Sequence, residues 1–243
     1  MSADLRGQTV IVLGGSAGIG LETARRARAE GATVILTGRD PDRLQRAADE
    51  IGAARTAAFD ATDPAAIERF FGDFAAMTID HVMVTAGRPH YGRLLEMDIE
   101  EARRGFDEHL VMMLQVARNA ATKMKPGGAL LFMGGTGGRR AAIGLGIVSA
   151  ATAALPALTA NLALELAPVR VNLIAAGFVD TPLSAELLGD QLDARRQQLR
   201  TTLPIRRVVT PADVAALAVH VMSNTALTGA TYDIDGGQQF VAG

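Results

Sequence analysis

Four glycines fall within the segment Gly14–Gly20, directly after the apolar run Thr9–Leu13 and at the start of a helical pattern. Glycine lets a backbone approach a ligand closely, and a helix N-terminus presents free N–H groups with partial positive charge. These properties suit a pyrophosphate, so the segment predicts a dinucleotide-binding loop. The residues expected to bind the ligand are Gly14, Ser16, Gly18, Ile19 and Gly20. The alternative is a tight turn that binds nothing.

The end of the second apolar run indicates which dinucleotide is bound. An acidic residue about 20 positions beyond the glycine loop would bind the ribose 2′-hydroxyl of NAD. Gly38 stands there instead, and the guanidinium of the next residue, Arg39, is suited to a 2′-phosphate. NADP(H) is therefore predicted in preference to NAD(H), the alternative being that Arg39 is an ordinary solvated charge. Asp40 precedes Pro41 and is expected to begin a helix rather than to bind ribose.

Composition excludes several other classes of function. The 243 residues are 49% hydrophobic and 21% charged, with a net charge of −2. These values favour a globular protein and give no electrostatic basis for binding nucleic acid or an anionic membrane. No cysteine is present, and no cluster of His, Asp and Glu has the spacing of a metal site. The polar start Met1–Gln8 and the shortness of the first apolar run favour a soluble, cytoplasmic protein.

Short apolar runs alternate with longer segments of helical period along the chain. Most of the runs are apolar on both faces, as strands are when helices cover both sides of a parallel sheet. The predicted strands are Thr9–Leu13, Thr33–Thr37, Arg55–Phe59, His81–Thr85, Ala129–Met133, Arg170–Ile174 and Thr231–Ile234. The predicted helices are Gly18–Ala29, Pro41–Ile51, Pro64–Phe74, Ile99–Lys123, Ile147–Ala167 and Pro211–Met222. This order predicts an α/β fold, a doubly wound parallel sheet of Rossmann type in a single domain over 1–243, with 180–207 as a small helical lid over the substrate.

Further motifs resemble the short-chain dehydrogenase/reductase family over nearly the whole chain. The glycine loop is similar to that family's phosphate loop, and Val84–Gly87 is similar to the motif after its fourth strand. Arg170–Asn172, Ala176–Thr181 and Asp235–Gly237 resemble later family segments. Each motif is modest alone, but the order and spacing together are specific to the family.

The resemblance also implies where a cofactor lies and how the protein assembles. It places Asp60 near the adenine, Ala86 and Gly87 along the cofactor, and Thr181 at the nicotinamide carboxamide. Members of the family usually assemble through their two long helices and their C-terminal strand, so a homodimer or homotetramer is expected.

The catalytic positions depart from the family pattern. Family members use Ser, Tyr and Lys, with an Asn on the preceding helix, where this chain has Gly135, Val148, Thr152 and His109. In the family the Tyr protonates the substrate oxygen, the Lys lowers the pKa of the Tyr, and the Ser polarises the carbonyl. The residues of this chain at those three positions cannot do so, and such acid–base help is worth about 10²–10⁴-fold in rate.

Other side chains could replace the missing proton donor. His109 is the strongest candidate because imidazole exchanges a proton near neutral pH. The alternative is an inert helix histidine that fills the space left by the smaller side chains. Arg139 or Arg140 could stabilise an alkoxide or an acidic substrate, or form a solvated or subunit-facing pair. Tyr91 is the one phenol placed to replace the family Tyr.

Two functions stay open on the sequence alone. One is an NADP(H)-dependent oxidoreductase that acts on a small carbonyl or alcohol through unconventional residues. The other is a catalytically silent NADP(H)-binding sensor or partner subunit. The lid segment is mixed in character and short of aromatic residues, so it does not identify a substrate.

Overall fold

Seven short apolar segments pair side by side into one parallel sheet within residues 4–241, which this computed structural model describes. The strands are β1 (Thr9–Leu13), β2 (Thr33–Gly38), β3 (Arg55–Ala58), β4 (Ile79–Val84), β5 (Met124–Gly135), β6 (Arg170–Ala176) and β7 (Thr231–Ile234). Their order across the sheet is β3-β2-β1-β4-β5-β6-β7. Val12 of β1 pairs with Leu36 on one side and with Met83 on the other. The strand order therefore reverses between β1 and β4, where open parallel sheets bind ligands.

Nine α-helices are present in the described residues. They are α1 (Gly18–Ala29), α2 (Pro41–Ile51), α3 (Pro64–Gly72), α4 (Ile99–Phe106), α5 (Met112–Ala120), α6 (Gly146–Glu165), α7 (Pro182–Leu188), α8 (Leu192–Thr202) and α9 (Pro211–Ser223). As predicted, Asp40 begins α2, since its carboxylate accepts a hydrogen bond from the Arg43 N–H at 2.9 Å. The alternation of strands and helices confirms the doubly wound α/β fold. The outermost residues of the predicted range 1–243 lie outside the described part.

The predicted helix Ile99–Lys123 differs from the structure in two ways. Asp107–Val111 form a π-helical turn between α4 and α5, which the hydrophobic period does not reveal because the irregularity is confined to one turn. Helix α5 also ends at Ala120, and β5 begins well before the predicted Ala129. The strand extends backwards because Met124 pairs with β4 across an irregular register before the regular ladder resumes.

Alternate residues of each strand supply the two halves of the core. Val10 and Val12 of β1 are fully buried in a cluster with residues of α1, α2 and α9. Ile11 and Leu13 are fully buried in a second cluster with residues of α3, α5 and α6. Each such burial stabilises the fold by about 1.5–3 kcal/mol, so both faces of the sheet hold the strand ends in place.

Helix α6 is long and apolar enough to cross a membrane by length and composition, and is the one such helix in residues 4–241. Its Leu155 and Leu162 nevertheless pack into the core beside β5 and β6. A core helix passes the same test, so this feature is weak evidence for a membrane span. The opposite side of the helix leaves Leu164 79% exposed.

Arg170 fixes the end of α9 to the sheet. Its buried guanidinium donates hydrogen bonds to five backbone carbonyls, those of Gly127, Val221, Met222, Asn224 and Leu227. The last carbonyls of a helix have no partners within the helix, and a cation there is favourable. The contact thereby positions β6, whose C-terminal end leads into the predicted lid.

The segment 180–207 contains α7 and α8. Thr181 and Ser184 begin α7 with reciprocal hydrogen bonds between their side chains and backbone N–H groups. Arg196 of α8 forms a two-point ion pair with Asp180, with nitrogen–oxygen distances of 2.8 and 3.0 Å. This pair ties the second helix of the segment back to its start, so the two helices form one compact unit.

Candidate cofactor and active site

The glycine loop between β1 and α1 packs against the loop after β4. Gly14 has a φ of +86°, and a Cβ on it would lie 2.8 Å from the Ala86 backbone nitrogen. A Cβ on Gly20 would lie 2.3 Å from the Gly14 carbonyl oxygen. The Thr85 hydroxyl bridges the two loops, at 2.9 Å from the Leu13 carbonyl and 3.2 Å from the Gly14 carbonyl. Glycine is required at both positions, and the loop backbone stays uncovered by its own side chains.

The N-terminus of α1 has the features of an anion site. Ala17, which precedes it, gives the first turn no side-chain hydrogen bond, whereas Asp or Thr side chains cap α2, α3, α4, α7 and α9. Its first N–H groups are therefore available to phosphate oxygens. A Cβ built on Gly18 would lie 3.5 Å from the Cβ of Thr181, across a narrow gap. The residues present thus fit a dinucleotide pyrophosphate.

The residues predicted to select the 2′-phosphate lie beside this loop. Arg39 is exposed and forms no hydrogen bond or ion pair with another residue of the described chain. A Cβ on Gly38 would lie 3.0 Å from the Ser16 hydroxyl, so glycine leaves this space to a ligand. Asp60, also exposed, accepts hydrogen bonds from the Thr62 N–H at 2.9 Å and the Thr62 hydroxyl at 2.8 Å. An unpaired guanidinium and a small neighbour are the features that a 2′-phosphate requires.

A cavity of about 690 Å³ lies over the C-terminal ends of β4, β5 and β6. It brings together predicted cofactor and catalytic positions, namely Ile19, Ala86, Gly87, His109, Gly135, Val148, Thr152 and Thr181. The other predicted cofactor residues lie outside it, namely Gly14, Ser16, Gly18, Gly20, Arg39 and Asp60. A cavity of this size accommodates a small substrate, and the outlying residues follow the edge along which a dinucleotide would extend.

The three family catalytic positions face the cavity without an acid or a base. Gly135 ends β5 in extended conformation, and a Cβ on it would meet no atom closer than 3.5 Å. Val148 and Thr152 lie one turn apart on α6, and the Thr152 hydroxyl donates to the Val148 carbonyl at 2.8 Å. Ser149 donates to the Gly137 carbonyl at 2.9 Å and does not line the cavity. No hydroxyl from these positions is therefore directed at a substrate.

His109 lies in the π-helical turn and lines the same cavity. Its Nδ1–H donates to the Gly105 carbonyl at 2.9 Å, which leaves Nε2 as the ring nitrogen available to a ligand. Burial lowers the pKa of His109, while the bond to Gly105 and the charge of Glu108 oppose that shift. Glu108 is itself held by the Arg88 N–H at 3.0 Å and lies 3.3 Å from His90 Nε2. The imidazole is therefore mainly neutral at pH 7.

The two arginines after β5 are placed differently. Arg139 pairs with Asp233 at 2.5 Å and does not line the large cavity. Arg140 lines the cavity and donates to the carbonyl of Val241. Tyr91 also lines the cavity and is about half exposed. Of the two predicted electrostatic candidates, Arg140 is therefore the one that lines the cavity.

The cavity is also lined by two cations that were not predicted from the sequence. Arg88 follows Gly87 directly, and Arg195 lies on α8. The available signal for Arg195 was its helical spacing from Leu199, which places both on one face of α8. In residues 4–241, no group of three or more His, Asp or Glu side chains could hold a metal ion.

Comparison with known sequences assigns the family. A family model described as enoyl-(acyl carrier protein) reductase matches residues 14–239. Short-chain dehydrogenase/reductase ATR9 of Stachybotrys chlorohalonatus is 28% identical over 96% of this chain and 97% of its own length. The chain belongs to the short-chain dehydrogenase/reductase family. The resemblance inferred from the motifs is therefore confirmed.

Other members of the short-chain dehydrogenase/reductase family match over similar lengths. The NADP-dependent (R)-specific alcohol dehydrogenase of Lentilactobacillus kefiri is 30% identical over 98% of both chains. The cyclic-di-GMP-binding biofilm dispersal mediator protein of Escherichia coli K12 is 30% identical over 95% of this chain and 96% of its own. A solved small-chain dehydrogenase in complex with NADPH has a TM-score of 0.82 at 28% identity, covering 96% of this chain and 99% of that one.

Proposed function

We propose that this protein is an NADP(H)-dependent oxidoreductase that acts on a small carbonyl or alcohol, with His109 in place of the family's acid–base residues. The observation that carries the proposal is the position of His109 in the cavity that also contains Gly135, Val148 and Thr152. Imidazole is the one group among these four that exchanges a proton near neutral pH.

The cofactor preference rests on the edge of the sheet. Gly38 leaves room where an acidic side chain would bind a ribose hydroxyl, and Arg39 offers an unpaired guanidinium. One solved relative holds NADPH, and another relative is named as NADP-dependent. The glycine loop, the uncapped start of α1 and Thr181 would hold the remainder of the dinucleotide, and Asp60 would lie near its adenine.

The side chains of this protein would then have distinct roles. When bound, NADPH supplies a hydride to a carbonyl carbon. His109, in its protonated form, donates from Nε2 to the carbonyl oxygen, and in its neutral form it accepts the proton of an alcohol in the reverse direction. Arg140 lines the cavity and would stabilise negative charge there, and α7 and α8 would restrict access of water. The same segment, 180–207, would act as the lid.

Two measurements test the proposal in sequence. The first is direct titration of the purified protein with NADPH and with NADH, where tight binding of NADPH and weak binding of NADH is expected. The second is NADPH oxidation with a panel of small aldehydes and ketones, repeated with His109→Ala. Turnover that survives this substitution unchanged would show that His109 is not the proton carrier.

A second candidate function is a catalytically silent NADP(H)-binding sensor or partner subunit. It is favoured by the simultaneous replacement of Ser, Tyr and Lys, and by the local hydrogen bonds that occupy Thr152 and Ser149. A relative 30% identical to this chain is named for binding cyclic di-GMP. Substantial turnover of any carbonyl by the unmodified protein would exclude this alternative.

The proposal includes assembly into a homodimer or homotetramer, and a cytoplasmic location. Apolar side chains on the two long helical segments support the assembly, since Val111 is 44%, Leu114 48% and Leu164 79% exposed. Exposed apolar residues grouped on helices are typical of subunit interfaces. Light scattering on the purified protein measures the mass directly, and a monomer at micromolar concentration would contradict this part of the proposal.

A further inference from the structure

Among residues 4–241, arginines are the only charged residues that line the large cavity, apart from the histidine His109. Three arginines, Arg88, Arg140 and Arg195, line it, and no Asp or Glu among residues 4–241 does so. Arg88 is paired outside the lining with Glu186, at a nitrogen–oxygen distance of 3.2 Å. Arg140 and Arg195 have no carboxylate partner in the described chain, so two guanidinium groups face the cavity without a counter-ion.

Arg195 is held in place but not neutralised. It is partly buried on α8, and its Nη1 donates to the Gln198 side-chain oxygen at 2.7 Å. The nearby acids are already used, because Arg196 binds both Asp180 and Asp193. Burial lowers the pKa of Arg195, which reflects the free-energy cost of removing this cation from water. An anion bound beside it would offset that cost.

Arg140 is the second unpaired arginine that lines the cavity. Its guanidinium donates to the carbonyl of Val241, a neutral partner that leaves its charge uncompensated. Val241 packs against the small cluster formed by Leu199, Leu203 and Val208. Leu199 lies one turn after Arg195 on α8, so Val241 and this cluster link the two unpaired arginines.

The rest of the cavity wall is largely apolar. Apolar side chains from several elements and loops contribute to it, including Met113, Leu145, Val148, Leu183, Leu187 and Leu199. Apolar walls bind hydrocarbon, and a few placed polar groups fix its orientation. The complementary ligand therefore has an apolar body and one anionic end.

We propose that the substrate is an apolar oxo or hydroxy carboxylic acid whose carboxylate is bound by Arg195, with Arg140 as the second cation. The carbonyl or hydroxyl part of this statement rests on the proposed oxidoreductase function, whereas the carboxylate site stands on the charges alone. The cofactor phosphates have their own site at the start of α1, where Gly18 faces Thr181. Guanidinium and carboxylate match in geometry, since each offers two parallel hydrogen-bonding positions.

The test is direct binding, which does not depend on turnover. Hexanoate, octanoate and decanoate are titrated into the NADPH-saturated protein, each beside its neutral amide, and the dissociation constants are compared. The carboxylates are expected to bind about tenfold or more tightly than the amides, as a charge-assisted pair requires. Arg195→Gln is expected to remove this preference, and Arg195→Lys to restore part of it.

Arg200→Gln is the matched control, because Arg200 lies on α8, is exposed, and does not line the cavity. It should leave both carboxylate and NADPH binding unchanged. Equal binding of carboxylates and amides, or no binding of either, would overturn the proposal. It would also be overturned if Arg195→Gln weakened NADPH binding as much as carboxylate binding, because the arginine would then serve the cofactor. If the unmodified protein bound carboxylates as expected but catalysed no NADPH-dependent turnover, the result would count against the oxidoreductase function instead.

Discussion

The Nδ1 atom of His109 lies 2.9 Å from the carbonyl oxygen of Gly105, one turn earlier in the same helical segment. A carbonyl oxygen can only accept, so the proton is on Nδ1 and the lone pair of the neutral ring is on Nε2. The ring orientation is thus determined by the backbone of its own helix. A histidine held in this way is prepared to accept a proton, and after protonation to donate one, at a single defined atom.

His109→Gln should lower NADPH-dependent carbonyl reduction by about 10²-fold, because glutamine cannot transfer the proton. Stopped-flow or steady-state assays that follow the absorbance of NADPH measure this decrease in rate. Since burial lowers the pKa of His109, the protonated form increases as the pH falls below the usual value near 6.5. Reduction should therefore accelerate towards acid pH, whereas alcohol oxidation should be favoured above that range.

His220→Gln is a suitable control, because this histidine is exposed near the end of α9. It should retain both the rate and the pH profile of the unmodified protein. If His109→Gln keeps the same pH profile at a lower rate, His109 affects structure rather than proton transfer.

Restoring the family's Ser, Tyr and Lys should give this protein the carbonyl reduction that is typical of the family. The triple variant Gly135→Ser, Val148→Tyr and Thr152→Lys is expected to reduce carbonyls at least about 10²-fold faster than the unmodified chain. A serine side chain fits at Gly135, since a Cβ there meets nothing closer than 3.5 Å. A second cavity of about 110 Å³, lined by Gly135 and Thr152, gives additional room. A folded, NADPH-binding triple variant with no activity would mean that the substrate pocket itself has diverged.

Arg39→Ala should separate the two nicotinamide cofactors. NADPH affinity is expected to fall about tenfold through loss of the pair with the 2′-phosphate, and NADH affinity should not change. Isothermal titration with each cofactor measures both values. Arg69→Ala, an exposed arginine on α3, should change neither. A parallel loss for both cofactors would show that Arg39 does not read the 2′-phosphate.

Gly20→Ala should prevent the glycine loop from binding NADPH without disturbing the sheet. The added Cβ would lie 2.3 Å from the Gly14 carbonyl oxygen and 2.6 Å from the Thr85 hydroxyl, so the loop must move. NADPH affinity is expected to fall by more than about tenfold. Gly72→Ala, at the end of α3 with no atom within 4 Å of its new Cβ, should bind NADPH normally. If Gly20→Ala kept full NADPH affinity, the glycine loop would not be part of the binding site.

His81 should make the fold sensitive to acid. Its Nδ1 accepts from the Ala129 N–H at 3.1 Å, and its Nε2–H donates to the Gln8 side-chain oxygen at 2.6 Å. Burial, and then the charge of Arg170, lowers the pKa of His81 from 6.5 to about 4. The unfolded chain therefore binds a proton first, so the free energy of unfolding should decrease by about 3 kcal/mol as the pH falls from about 6.5 to 4.

Urea unfolding across this pH range measures the effect, and His81→Gln should show a smaller pH dependence than the unmodified chain. Should that variant fail to fold, the titration of the His81 ring by NMR provides the same information. A ring pKa near 6.5 in the folded protein would contradict the prediction.

The strands and the place of the glycine loop between β1 and α1 were predictable from sequence because they depend on local pattern. The predicted bounds of Thr9–Leu13 and of Gly18–Ala29 agree with the structure, since an apolar run, a glycine loop and a helical period follow one another directly. The π-helical turn around His109 was not predictable, because a single irregular turn leaves the hydrophobic period nearly unchanged. The hydrogen bond from the Thr152 hydroxyl to the Val148 carbonyl was not predictable either, because a bond to the preceding helical turn does not change the sequence pattern.

The charges of the cavity were only partly predictable. Arg139 and Arg140 were both candidates because they follow a strand, and Arg140 lines the cavity. Arg195 lies in a segment without a family motif. Its position in the cavity depends on how α8 folds back, and the ion pair between Arg196 and Asp180 is one contact that holds α8 there. Contacts of this kind join elements through tertiary packing. The spacing of Arg195 and Leu199 places them on one face of α8, but it does not indicate that this face meets the cavity.

The parallel sheet also determines how this chain must fold. No two neighbouring strands can be joined by a hairpin, because parallel strands need a crossover connection. Strand β1 also pairs with β4, which lies far along the chain, as well as with β2. Sheet hydrogen bonds therefore form only after distant segments meet, a topology that slows folding. During that interval unpaired strand edges are exposed, so recovery from denaturant should become poorer as protein concentration rises.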